Sequence, residues 1–172
     1  VYRGYEGDAE LLGGLRDDDP APYELLRQEI HRLEPPVVYF PLAVGNHVDH
    51  QLCREVGTAM LAEPRRWVMP GHEMVDRVTF YEDFPYAWWT DFRRLEDLGP
   101  RGLHGVPDDV SISPVYADIT DQVERKITGV TIYESQLERL FDGDQEMAAA
   151  VRAHGHAIAE LGSVAGAAER YW

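Results

Sequence analysis

The 172 residues hold 31 acidic and 16 basic side chains, a formal charge of −15. That surplus disfavours nucleic acid and anionic membrane surfaces, and points to a small neutral or cationic partner. With 44% hydrophobic and 27% charged residues the chain fits one soluble domain with an adequate core. No run of roughly eighteen apolar residues and no charged segment leading into an apolar one is present, so neither membrane insertion nor a secretory signal is expected, and a cytoplasmic location is. The single cysteine, Cys53, excludes an internal disulfide and reads as a small buried hydrophobe. The chain opens at Val1 rather than at methionine, and a further segment is expected upstream.

Residues 2–19 are rich in Gly and Asp and read as irregular, with Asp17-Asp18-Asp19-Pro20 as a break. From Pro22 to Leu33, Leu25, Leu26, Ile30 and Leu33 recur at helical spacing, and the helix should stop before Pro35-Pro36. Val37 to Phe40 reads as a short strand buried on both faces. The stretch Asn46-His47-Val48-Asp49-His50 follows it, then a helix through Leu52, Cys53, Val56, Ala59 and Met60 that ends at Pro64.

Arg66 to Pro70 would be a second strand, with Gly71-His72-Glu73 in its loop. A metalloprotease motif would need another His four residues after His72, where Asp76 stands. Val75 to Phe80 alternates as a strand, and Tyr81-Glu82-Asp83-Phe84-Pro85-Tyr86 makes an aromatic and acidic loop able to line a polar organic substrate. Trp88, Trp89 and Phe92 could form a core patch, a pocket wall or a subunit contact, and residues 88–105 are a candidate homo-oligomer contact. His104 to Asp109 offers a His and two carboxylates, but its Gly and Pro mark a surface turn. Residues 119–140 read as one long helix or two in line, and Gln145 to Leu161 as another. On that last helix His154 and His156 point to different faces, a poor ligand arrangement. No internal repeat, low-complexity linker or second domain is apparent.

The His47 to His50 stretch carries the most chemistry. If His47 opens a helix, His50 lies one turn along the same face, so both imidazoles can reach one small target. Neutral imidazole is a standard Zn²⁺ ligand, and Asp49 can supply the hydrogen bond that fixes a ligand tautomer. Ligand sites in open α/β sheets lie outside the carboxyl ends of the strands, where this cluster falls. A surface or capping role is the plain alternative.

These residues resemble the zinc-dependent PIG-L/LmbE-like N-acetylglucosaminyl deacetylases. The match is to that family's His-x-Asp-His motif at His47-Val48-Asp49-His50, its Tyr-x-Asp-x-Pro-Tyr segment at 81–86, its Tyr-x-Ser-Gln element at Tyr133-Glu134-Ser135-Gln136, and its closing Ala-Glu-aromatic segment at Ala168-Glu169-Arg170-Tyr171-Trp172. The resemblance implies a Zn²⁺ hydrolase that removes an N-acetyl or N-acyl group from an N-acetylglucosamine-type sugar or glycoconjugate. It implies His50 as a zinc ligand, and His47 facing the substrate carbonyl. Asp49 would orient the histidines, and Tyr81, Asp83 and Tyr86 would contact substrate. The family's first motif, His-Pro-Asp-Asp, is missing from these residues, so residues 1–172 read as the C-terminal part of a larger deacetylase domain whose remaining ligands and general base lie upstream.

The expected fold is α/β, a Rossmann-like three-layer sandwich with a mostly parallel sheet. Two other functions compete. The metallo-β-lactamase-like hydrolases carry His-x-His-x-Asp-His, which would require His at position 45, where Gly45 stands. A non-catalytic carbohydrate-binding or scaffolding domain would keep His47 and His50 for structure alone.

Overall fold

The computed structural model describes residues 4–19, 23–62 and 78–172. The strand expected at 66–70 and the residues His72 and Glu73 lie outside them. Two compact units divide the chain, Val1–Ile112 and Ser113–Trp172.

In the first unit a short helix α1 (Asp8–Leu11) interrupts the stretch read as irregular, and α2 spans Tyr23–Leu33 as its spacing predicts. Toward the end of α2 Ile30 is buried, whereas Leu25 and Leu33, counted on the same apolar face in the sequence, are exposed. Strand β1 (Val38–Pro41) leads to α3 (Val48–Ala62), and β2 (Val78–Tyr81) lies parallel to β1 with Val38 opposite Val78 and Pro41 opposite Tyr81. Parallel pairing demands a crossover, and α3 lies on it. Val48, Leu52, Val56 and Met60, spaced four apart, form the buried stripe of α3. Gly57 lets that helix close on the strands: a Cβ there would lie 2.7 Å from the Phe40 ring and 3.0 Å from the Phe80 ring.

Phe40 and Phe80 are buried, whereas Tyr39 is 56% exposed. Strand β1 is therefore open to solvent at Tyr39, a correction to the continuous burial its sequence suggests. The alternating sides of a strand place Tyr39 opposite Phe40. After β2 come α4 (Tyr86–Trp89) and a 3₁₀ turn at Leu95–Arg101. His104, Asp108 and Asp109 are exposed in turns, as their Gly and Pro neighbours indicate.

The second unit contains β3 (Val115–Asp118), α5 (Val123–Val130), α6 (Glu134–Leu140), α7 (Asp144–Gly162) and β4 (Ala168–Tyr171). Strands β3 and β4 pair antiparallel, Val115 opposite Tyr171 and Asp118 opposite Ala168. Neither strand is evident in the sequence reading. The stretch from 119 to 140 resolves into two helices parted at 131–133, with Ile119 ahead of both. Helix α7 packs Ile158 and Ala159 on Ala168, flanked by Tyr116 and Val164. Its Gly162 meets the Tyr116 ring, where a Cβ would sit 2.3 Å from Cγ.

The chain is thus α/β, but its pairing is mixed: β1 and β2 are parallel, β3 and β4 antiparallel. Among the described residues no helix is long and apolar enough to cross a membrane.

Candidate active site

Strands β1 and β2 end side by side, so the loops that follow them, 42–47 and 82–85, emerge at the same carboxyl edge. Backbone and side-chain bonds join the two loops. Leu42 N–H donates to the Tyr81 carbonyl at 2.9 Å, and Val44 N–H donates to Asp83 Oδ1 at 3.1 Å. Within the first loop Asn46 N–H donates to Ala43 O at 3.0 Å, and both residues hold φ of 58°. Asn tolerates the left-handed region, but Ala does so at a cost of about 1–2 kcal/mol. Buried Gln51 secures the loop from behind, with its Nε2 donating to Gly13 O at 2.9 Å and to the Asn46 carbonyl.

His47 precedes α3, and its carbonyl accepts the Gln51 N–H at 2.9 Å. Its Nδ1 accepts the Asp49 N–H at 3.3 Å, the service an N-cap side chain performs. The Asp49 carboxylate stands 4.0 Å from that same Nδ1, beyond hydrogen-bond reach. Asp49 thus meets His47 through its backbone rather than through its carboxylate.

The His47 and His50 rings lie 5.2 Å apart, side by side as the helical spacing requires. His50 Nδ1 is 3.0 Å from Asp83 Oδ2. The Asp83 side chain is only 2% exposed, and each of its oxygens has a protein partner, His50 for one and Val44 N–H for the other. Asp83, expected to contact substrate, makes its bonds within the protein to His50 and the Val44 N–H.

Tyr86 stands edge-on to His50 at 6.1 Å, and half-exposed Trp89 stands edge-on to Tyr86 at 5.8 Å. These rings form an aromatic wall beside the two imidazoles. Gly45 faces the same wall: a Cβ there would lie 2.1 Å from Tyr86 Cγ. A His at position 45, which the metallo-β-lactamase pattern needs, has no room.

Tyr81 closes β2. Burial first, then the nearby Asp83 and Cys53, push its phenol above the ordinary value, so it stays a hydrogen-bond donor at neutral pH. Burial and Asp49 likewise raise the Cys53 thiol, which fits a packed rather than a nucleophilic cysteine. Among the described residues no group of three His, Cys, Asp or Glu side chains converges to hold a metal ion. The site brings together His47, Asp49, His50, Asp83 and Tyr86, while the His104 to Asp109 segment remains an exposed turn.

Comparison with known proteins adds one informative relative. The chain is 32% identical over 138 residues to the 2'-N-acetylparomamine deacetylase of Streptomyces fradiae, an alignment that covers 79% of this chain and 44% of that enzyme. No family model and no solved structure matches. The chain spans less than half the length of the curated relative it matches, and what it is similar to over that span is a deacetylase.

Proposed function

We propose that this chain carries part of the active site of a zinc-dependent hydrolase that removes an N-acetyl group from an amino sugar or glycoconjugate. The observation that carries the reading is the pairing of His47 and His50, rings 5.2 Å apart, at the carboxyl edge of a parallel strand pair. The similarity to a named deacetylase supports it. The crossover through α3 is the element from which a Rossmann-like sandwich is built.

His50 fits one position of a zinc site. Its Nδ1 is engaged with Asp83, which leaves Nε2 as the donor atom. A catalytic zinc would need about three protein ligands, and a general base beside them. Bound zinc would lower the pKa of a water to about 7 and polarise the amide carbonyl.

The chain's own residues do the rest. His47 accepts the Asp49 N–H at Nδ1, so its neutral ring carries the proton on Nε2 and can donate to the carbonyl oxygen as charge builds there. The departing amine would take its proton from the attacking water by way of the general base, because a neutral imidazole that gave up its Nε2 proton would be left as an imidazolate. Asp49 adds negative charge beside that imidazole. Tyr81, kept protonated, and Tyr86 with its aromatic neighbour supply a donor and an apolar wall for a sugar ring. Hydrolysis adds water across the C–N bond, yielding acetate and a free amine.

The test is zinc content of the purified protein measured beside acetate release from 2'-N-acetylparomamine and from N-acetylglucosamine conjugates. About one zinc per chain with release from either substrate supports the reading. Protein without zinc that releases no acetate from any N-acetyl amino sugar removes it.

A further inference from the structure

His50 is held by more than a neighbouring acid. Asp83 lies on the loop after β2, almost wholly out of solvent, and is gripped on both oxygens: Val44 N–H at 3.1 Å on Oδ1 and His50 Nδ1 at 3.0 Å on Oδ2. A backbone N–H can only donate, and a carboxylate can only accept. The Val44 contact therefore fixes which way the carboxylate is turned. The His50 contact in turn requires a proton on Nδ1, which leaves the Nε2 lone pair directed away from Asp83. We infer that Asp83 is a positioning residue that, oriented by the Val44 N–H, locks His50 in the Nδ1–H tautomer and so keeps Nε2 available as a ligand atom. Use of that lone pair for zinc rests on the proposed deacetylase reading; the lock itself rests on these two hydrogen bonds.

The geometry makes an unusual demand on a near-isosteric change. In Asp83→Asn one side-chain atom becomes an NH₂ donor. Val44 N–H cannot face that donor, so the amide oxygen must remain toward Val44 and the NH₂ must face His50 Nδ1. His50 can accept there only by moving its proton to Nε2. The substitution preserves shape and burial yet inverts the tautomer, which a merely structural role for Asp83 would not do. In Asp83→Ala both contacts vanish, and His50 should populate both tautomers.

The experiment is ¹⁵N NMR of the imidazole nitrogens in the full chain, metal-free, at a pH where His50 is neutral, for the native protein and both variants. His50→Gln identifies the resonances. Zinc affinity is then measured by competition with a chromophoric chelator. The expected result is Nδ1–H in the native protein, Nε2–H in Asp83→Asn, a mixture in Asp83→Ala, and zinc affinity weaker by about 10–100-fold in both variants. Nε2–H in the native protein, or Nδ1–H retained in Asp83→Asn, overturns the lock. So does a mixture in the native protein matching that of Asp83→Ala. Native protein with the expected tautomer that takes up no zinc overturns the zinc reading alone and leaves the lock standing.

Discussion

The backbone of Gly45 lies against the ring of Tyr86 so closely that a Cβ would come within 2.1 Å of Cγ. The contact places that ring edge-on to His50. Gly45→Ala must move the ring or the loop, and overpacking of this kind costs about 1–3 kcal/mol. Chemical denaturation should show that loss, and adding Tyr86→Ala should make the pair less than additive because it removes the obstruction. Strict additivity would mean the two residues do not touch in solution.

The two histidines should separate by function. His50→Ala is expected to lose zinc and activity together. His47→Ala should keep zinc and lose roughly 100-fold or more in kcat, the scale for removing a donor to a developing oxyanion. Elemental analysis and steady-state kinetics check both. Unchanged zinc in the His50 variant would sink the assignment.

Acid stability should report on Glu169. Burial by itself would favour its neutral form, but the Lys126 charge, hydrogen bonds from Lys126 and Tyr171, and nearby His154 outweigh it and hold the carboxyl below its ordinary value of about 4.5. Lys126 Nζ lies 2.6 Å from Glu169 Oε1. A carboxyl depressed on folding stabilises the native state above its unfolded value, and that stability is lost as pH falls through the folded value. Lys126→Met should therefore be less stable than the native protein at pH 7, with the gap closing as the pH drops below about 4. A gap that stays constant across that window would remove the pair from the stability account.

Gly57→Ala sets two effects against each other. Alanine favours a helix interior by about 1 kcal/mol over glycine. Here the new methyl would meet Phe40 at 2.7 Å, between a helix and a strand that cannot easily part. The steric cost should win by about 1–2 kcal/mol, visible as a lower denaturation midpoint. A rise in the midpoint would show that α3 sits farther from β1 than the structure has it.

The longer helices were legible because their burial is periodic: the spacing of Val56 and Met60, and of the alanines in α7, carries through to packing. Strands β3 and β4 escaped because, unlike the β-branched and aromatic runs of β1 and β2, Ala168-Glu169-Arg170-Tyr171 and Val115-Tyr116-Ala117-Asp118 mix small, charged and aromatic types. Its Arg170 is buried, with its guanidinium 4.9 Å from the Trp172 ring, a partner the pattern alone does not announce. The His47 and His50 pair was readable from its spacing across a helix start. The place of Asp83 was not, since His50 and Asp83 are 33 residues apart and only the pairing of β1 with β2 brings them together.

That pairing has an evolutionary corollary. The alignment of Pro41 with Tyr81 sets where Val44 and Asp83 arrive, so the reach from strand end to site is counted in residues on both sides. A single insertion or deletion between Leu42 and His47, or between Tyr81 and Tyr86, would carry the carboxylate past the imidazole. Length at this edge should therefore be held as strictly as the identities of Gly45 and Asp83.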